Sequence, residues 1–438
     1  MSKLAINGGQ KICSWLETFP DQLTFDQAEI DAVNRVFEGK LLSNYRGNWQ
    51  PEFWGGDAVK RLEHKFSQMF NIKYALAVNS CTSALQIACG AIGLEPGDEV
   101  IVTPWSMSCS ATAPMIYGAI PIFADIEHDN FCLDPADVER KITNRTKAII
   151  AVDLFGQPFA KEIMEIANKY NIYVIEDAAQ AIGSYLYNDF DPWYAGSIGH
   201  IGCFSFTQGK HLTAGEGGMI TTNDDDLMMK CALIRNHAES VINGAQDKQV
   251  YFDYNTNMVG FNMRMTEIQA AIVTEQLDKL PGFIVSRRDN VKKIEELLLD
   301  IPFMTFARER EKACHTYYVQ GFYFIGAIAG VHRDKFLAAL TAELSGEKSR
   351  PSRPLIGGGY IKPLYRMPVF QKRQHWSIRE TGLDFRGDYE HGTCPVAERL
   401  WKDEYFLSLL HGLPLEDRHI KLISDAFHKV AENLGELK

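Results

Sequence analysis

Four short stretches of this chain carry the residue types from which a covalent-cofactor site is built. The first is Cys203-Phe-Ser-Phe-Thr-Gln-Gly-Lys-His-Leu-Thr-Ala-Gly-Glu-Gly-Gly218, an apolar run that passes into a polar turn and then into glycines. Its lysine, Lys210, offers an amine that can condense with a carbonyl group, although a lysine in a polar turn is more often a solvated charge. Ser205, five residues earlier, adds a hydroxyl suited to a phosphate. The second stretch is Val78-Asn-Ser-Cys-Thr-Ser-Ala-Leu85, where Ser80, Cys81, Thr82 and Ser83 fall between the end of an apolar strand and the start of a helix. Unpaired N–H groups at a helix N-terminus attract anions, and hydroxyls there add donors or merely cap the helix.

The third stretch, Ile172-Tyr-Val-Ile-Glu-Asp-Ala-Ala-Gln-Ala181, puts two acids and a glutamine directly after a buried strand. A charge in such a place is costly unless it finds a partner. Asp177 suits a protonated pyridine nitrogen and Gln180 an oxygen on the same ring, or the carboxylate simply faces a helix dipole. The fourth is Gly260-Phe-Asn-Met-Arg-Met265, whose Asn262 and Arg264 suit recognition of a phosphate or carboxylate unless Arg264 is a surface base.

The elements that must position these residues follow a strand–helix–strand rhythm. Apolar runs at 74–78, 99–103, 120–124, 148–152 and 172–175 read as strands, with amphipathic helices between them, one carrying Ile163, Ile166, Ala167 and Tyr170 on a single face. Near-continuous apolar strands alternating with helices predict a mostly parallel sheet covered on both faces, with ligands beyond the carboxyl ends of its strands. A helix over 266–280 leading to Pro281-Gly282 predicts a junction there, giving an N-terminal arm and large domain over 1–281 and a smaller α+β domain over 282–438. Further strand (317–324) and helix patterns follow, and Ile420, Ile423, Phe427, Val430 and Leu434 line one face of a closing helix.

Composition narrows the function classes. The 438 residues are 46% hydrophobic, which predicts a folded chain with more than one core. A net charge of −11 without basic runs argues against nucleic acid or an anionic membrane as partner. No apolar run approaches the ~20 residues of a membrane span, and Met1-Ser-Lys-Leu4 lacks a secretory core, so a cytoplasmic location is expected. Nine cysteines lie apart with no C-x-x-C pair, and neither a disulfide framework nor a metal site is expected.

In this order, the helix-start loop, Glu176-Asp-Ala-Ala-Gln180, Ser205-Phe-x-x-x-Lys210, Gly215-Glu-Gly-Gly218 and Gly260-Phe-Asn-x-Arg264 resemble the DegT/DnrJ/EryC1/StrS family. These are pyridoxal-phosphate-dependent sugar aminotransferases of the aspartate-aminotransferase fold type. The likeness extends to Gly55-Gly-x-x-Val-x-x-Leu-Glu63, Leu154-Phe-Gly-Gln157 and Pro395-Val-Ala-Glu398, and so runs through most of the chain. It implies pyridoxal phosphate, alternating with pyridoxamine phosphate, carried by Lys210, which also shuttles a proton. It makes Asp177 the partner of the ring nitrogen and Gln180 that of the ring hydroxyl, with Thr82, Ser83 and Ser205 around the phosphate. It makes Asn262 and Arg264 a loop that a neighbouring subunit inserts, hence a homodimer with shared sites. The implied reaction moves an amino group from an amino acid, by expectation glutamate, to a ketosugar. That acceptor is a nucleotide-linked ketosugar, an inosose or a free 8-keto-3-deoxy-octulosonate.

The chain departs from the pattern in places. Cys81 stands where the phosphate loop usually has glycine, and Met107, with Trp105 as the alternative, stands where an aromatic ring usually stacks on the cofactor. The stretches 184–200 and 349–368 are long, and the second carries Arg350, Arg353, Lys362 and Arg366, which with Arg46 suit an anionic substrate. Two rival readings remain: a dehydratase, which carries histidine at the lysine position, and a cofactor-binding regulator without turnover. The five-residue step from Ser205 lands on Lys210 rather than His211, which favours transamination.

Overall fold

The computed structural model describes residues 3–13, 19–20, 24–47, 50–187, 191–238, 258–344, 355–360, 362–372 and 389–438. The apolar runs form strands β1 (Tyr74–Val78), β2 (Glu99–Val102), β3 (Ile120–Phe123), β4 (Thr146–Val152) and β5 (Tyr173–Asp177). A hairpin of β6 (Tyr185–Tyr187) and β7 (Pro192–Tyr194) precedes β8 (Ile201–Ser205) and β9 (Gly218–Thr222). Seven of these make one sheet in the order β1-β9-β8-β5-β4-β2-β3. Every neighbour from β8 to β3 pairs in parallel, whereas β9 runs antiparallel to both β8 and β1. β9 reverses because only the lysine-bearing turn joins it to β8, and a parallel partner would need a longer crossover. This is the mostly parallel α/β sheet expected from the sequence.

Strand order fixes where chemistry can occur. The carboxyl ends of β1, β2, β5 and β8 lie along one edge, so the loops after Val78, Val102, Asp177 and Ser205 converge there.

A second sheet, β10 (Met304–Phe306), β12 (Gln320–Phe324), β14 (Tyr405–Ser408) and β13 (Ile356–Gly357) in that order, has its own apolar core around Phe322, Phe336, Phe406 and Phe427. Between β10 and β12, the short β11 (Ala313–Cys314) pairs with β6 and so ties the long 184–200 excursion to the C-terminal part.

The two cores share one helix, Glu267–Leu298, and here the structure corrects the expectation that a helix stops at Leu280. Pro281 removes one N–H, so the Leu277 carbonyl loses its helical donor. Pro281 and Gly282 are both exposed, so that loss falls on the solvent side. Ala270, Val273, Leu277 and Leu280 pack with the large sheet, and Ile294 and Leu298 pack with the small one. A division at 281/282 would therefore cut a continuous helix. The strand expected over 317–324 begins only at Gln320. Side chains claim the preceding carbonyls: His211 Nε2 donates to Thr316 O, and Arg287 Nη1 and His411 Nε2 to Tyr317 O. The closing helix, Asp417–Glu432, buries Ile420, Ile423, Phe427 and Val430, and Leu434 falls just beyond it. No described helix is long and apolar enough to cross a membrane.

Candidate active site

Lys210 is no surface charge: 7% of it is exposed, and its Nζ lies 4.4 Å from the centre of the Tyr318 ring. The turn that carries it is held at both sides. Gln276, from the long helix, accepts from Thr213 N–H (2.9 Å) and donates to Thr213 O (2.6 Å). His211 Nε2 lies 3.0 Å from Thr316 O, and burial, reinforced by Arg287, holds this imidazole's pKa well below the ordinary value. His211 is thus a neutral, buried anchor, while the adjacent Lys210 is turned toward the sheet edge. Gly209, at φ 95°, supplies the left-handed step between strand and lysine.

Asp177 ends β5 with 3% exposure. Burial raises its pKa, and the Ser110 hydroxyl and the Lys210 charge work against that rise. Ser110 Oγ donates to Oδ2 at 2.7 Å, Ala179 N–H to Oδ1 at 3.2 Å, and the Cys81 thiol lies 3.9 Å from Oδ1. Ser106 Oγ is 2.8 Å from Ser110 Oγ, extending the chain of hydroxyls. Cys81 is therefore accommodated with its side chain directed at the Asp177 carboxylate, and burial pushes its thiol pKa well up.

Behind Asp177, two more acids are fully buried. Glu176 Oε2 accepts from the N–H groups of Ile198 (3.0 Å) and Gly199 (2.8 Å), and Asp153 Oδ1 accepts from Phe159 N–H (2.9 Å). Their other oxygens, Asp153 Oδ2 and Glu176 Oε1, are buried without a hydrogen-bond partner among the described residues. Burial, with the Glu176 charge behind it, raises the Asp153 pKa well up and leaves the proton there.

The helix Cys81–Ala91 starts at the carboxyl end of β1 with Ser80 as N-cap. Ser80 Oγ accepts from Ser83 N–H at 3.1 Å and touches Ser83 Oγ at 2.9 Å, which leaves the first-turn N–H groups of Cys81 and Thr82 for an anion. Ser205, at the end of β8, and Thr82, exposed on the first turn, complete the hydroxyl set. Gly218 lets β9 close on this loop: a Cβ there would sit 2.6 Å from Ser80 C and 2.7 Å from Cys81 N.

The remaining sequence candidates separate. Gln180 is buried at the site, its Oε1 taking the Phe155 N–H (2.8 Å) and its Nε2 donating to Tyr360 Oη (3.0 Å). Trp105 is buried with its ring 5.0 Å from Tyr405 and 5.8 Å from Phe131, whereas Met107 is 60% exposed just past β2. Of the two, Met107 has the open face. Asn262 and Arg264 lie along the outer side of the phosphate loop, where Asn79 N–H donates to Met263 O (3.0 Å). There Arg264 is held by Asn262 Oδ1 (2.8 Å) and Asn236 Oδ1 (3.2 Å), over the Tyr45 ring. Leu364 N–H donates to Pro104 O (2.8 Å), which docks Lys362 and Arg366 near the end of β2; Arg350 and Arg353 lie outside the described residues.

Sequence reading missed Ser110, Tyr318 and Tyr360. Ser110 lies in the segment after β2, so the rule that chemistry sits just past each strand was sufficient to find it. Tyr318 and Tyr360 come from the C-terminal part and carry no such signal.

A buried amine on a turn, a carboxylate one strand away and a helix N-terminus flanked by hydroxyls match the amine-reactive carbonyl, basic ring nitrogen and phosphate of pyridoxal phosphate. With this strand order, they define a pyridoxal-phosphate enzyme of the α/β class. The chain belongs to the DegT/DnrJ/EryC1/StrS aminotransferase family, which it matches over residues 42–420. It is 37% identical to GDP-perosamine synthase of Escherichia coli O157:H7 over 66% of this chain and 73% of that protein. It is 29% identical, over the full length of both chains, to a putative L-glutamine:3-amino-2,3-dideoxy-scyllo-inosose aminotransferase of Streptoalloteichus tenebrarius. Among solved structures, the Escherichia coli GDP-4-keto-6-deoxy-D-mannose-3-dehydratase with bound hydrated pyridoxal phosphate superposes with a TM-score of 0.75. The two are 25% identical, over 94% of this chain and 99% of that one. This chain's cofactor is pyridoxal phosphate.

Proposed function

We propose that this protein transfers an amino group from glutamate or glutamine to the ketone of a sugar or sugar-like acceptor, with Lys210 as the proton-moving base. The observation that carries this reading is the placement of a buried lysine amine beside a buried carboxylate held by Ser110. Bound here, pyridoxal phosphate supplies an electron sink for charge developing at the donor's α-carbon. Asp177 keeps a positive charge on the ring nitrogen through a charge-assisted hydrogen bond. Cys81, Thr82, Ser83 and Ser205 grip the phosphate, and Gln180 meets the ring oxygen. Lys210 Nζ takes the proton from the donor's α-carbon, and in the second half-reaction returns one to the carbon that was the acceptor's ketone. Met107, exposed just past β2, would face the ring.

His211 is bonded to Thr316, which supports transamination over the histidine-dependent dehydration. Lys362 and Arg366, docked near the end of β2, favour an anionic acceptor, either a nucleotide-linked ketosugar or a free octulosonate. Asn262 and Arg264 lie beside the helix-start loop, and the family resemblance assigns such a loop to the neighbouring subunit's site, so the working unit is a homodimer with shared sites. No disulfide joins any of the nine cysteines, which accords with a reducing, cytoplasmic setting.

Lys210→Ala tests the assignment. The variant is expected to hold the cofactor only reversibly, losing it on gel filtration, and to lose turnover. Retained covalent attachment with normal turnover would sink the reading. Exposing the aminated wild-type protein to nucleotide-linked ketosugars, inososes and octulosonates, with recovery of visible absorbance as the signal, identifies the acceptor.

A further inference from the structure

We propose that Tyr360, carried by the glycine-rich turn of the small sheet, is a positioning residue for the cofactor. It fixes the Gln180 amide so that the amide's second N–H faces the ring oxygen. The proposal rests on the assignment of Gln180 to that oxygen.

The turn reads Leu355-Ile-Gly-Gly-Gly-Tyr360. Ile356 and Gly357 are anchored as β13 against Ser408 and Leu407 of β14. Gly359 then turns the chain at φ 80°, and a Cβ there would lie 2.6 Å from Tyr405 Cε1. Both the left-handed backbone and the contact demand glycine, so this step places Tyr360 with little freedom. The Tyr360 ring stacks on Phe155 at 6.1 Å and 13°, and Phe155 also stacks on Tyr405 at 5.8 Å and 2°. Phe155 follows β4 of the large sheet and both tyrosines come from the C-terminal part, so the aromatic tier packs that part onto the large sheet's core beside Gln180.

The hydrogen bonds settle the amide's orientation. Phe155 N–H can only donate, so the group 2.8 Å from it is Gln180 Oε1. Nε2 is therefore the atom 3.0 Å from Tyr360 Oη, which accepts from it. An amide nitrogen carries two N–H bonds, and only one is spent on Tyr360. A terminal amide torsion is otherwise broad and roughly two-fold, so two clamps from distant parts of the chain are what hold the second N–H in one direction. Phe155 itself sits at φ 61°, a left-handed position for a phenylalanine, which points its N–H at the amide.

Tyr360→Phe is the clean perturbation, because it keeps the ring stack and removes only the hydroxyl. Absorbance titration of the cofactor-loaded protein and equilibrium binding to the apoprotein are the readouts. A less well directed N–H stabilises the anionic ring oxygen less, so the midpoint of the visible band should move to higher pH by roughly half a unit to one unit. Cofactor affinity should fall about three- to tenfold. Gln180→Ala is run beside it. If both variants move the midpoint upward, the smaller step in Tyr360→Phe, the proposal stands. If Gln180→Ala moves it and Tyr360→Phe does not, Tyr360 is not a positioning residue. If neither moves it, Gln180 does not meet the ring oxygen and the assignment beneath the proposal is what fails.

Discussion

Gly218 gives the sharpest test of how the phosphate loop is assembled. Changing it to alanine adds one carbon, which would lie 2.6 Å from Ser80 C, 2.7 Å from Cys81 N and 2.8 Å from Phe204 O. All three are backbone atoms of ordered elements, so no side chain can swing aside. Ordinary contact begins at 3.4 Å, so the loop must retreat by about 0.8 Å from the start of β9. Overpacking of this kind costs about 1–3 kcal/mol, a fall in Tm of about 1–3 °C for a chain of this length. The larger effect is on binding, because Cys81 N–H belongs to the cradle. Misplacing one or two N–H bonds to a charged phosphate should weaken cofactor affinity on the order of ten- to a hundredfold, measured by titrating the apoprotein. Gly215→Ala is the control. Its φ of 81° makes alanine strained by about 1–2 kcal/mol. With nothing within 4 Å of the new carbon, the cradle stays intact and affinity unchanged. Unchanged affinity in Gly218→Ala, or an equal loss in Gly215→Ala, would refute the close-approach argument.

Other perturbations test the same geometry. The Asp153–Glu176 pair keeps a proton in the folded chain at pH values where unfolded carboxyls, with pKa near 4, have lost both. Stability gained from that proton is full below this range and lost as pH climbs toward the pair's raised value, at up to about 1.4 kcal/mol per pH unit. Asp153→Asn should flatten this slope in urea unfolding as pH rises from about 4, and an identical slope in the variant would show that Asp153 holds no proton there. Gly282 sits exposed within the long helix with open space where a Cβ would go. Gly282→Ala should therefore stabilise by about 0.5–1 kcal/mol in denaturant unfolding, and any loss would mean that the helix is not continuous past Pro281.

The chemistry of the large sheet was legible in the chain because it is local. Each strand of the parallel sheet ends in a loop, and residues such as Ser80, Asp177 and Ser205 stand at those ends by sequence position alone. Burial of both sheet faces makes the strands continuous apolar runs, so their ends are easy to find. Lys210 gained its meaning from those neighbours, through a spacing that sequence also displays. The limits of the helices were less legible. Pro281 and Gly282 mark a break by local propensity, yet packing of Leu277 on one core and Ile294 on another carries the helix through them.

Contacts between the large sheet and the C-terminal part were decided only by tertiary structure. Nothing near Tyr318 announces that its ring will lie under the Lys210 amine, and nothing near Tyr360 announces Gln180, 180 positions away. The same holds for Cys81. Sequence marks it as a departure in a phosphate loop, and only the fold shows its thiol turned 3.9 Å from the Asp177 carboxylate. Sequence by itself determined most strands of the sheet, where they end and the lysine, aspartate and hydroxyls that stand there, because a strand's period and its end are properties of neighbouring residues. Which side chains hold that set in place depended on how the C-terminal part packs against the large sheet, and no local pattern encodes a contact between residues so far apart along the chain.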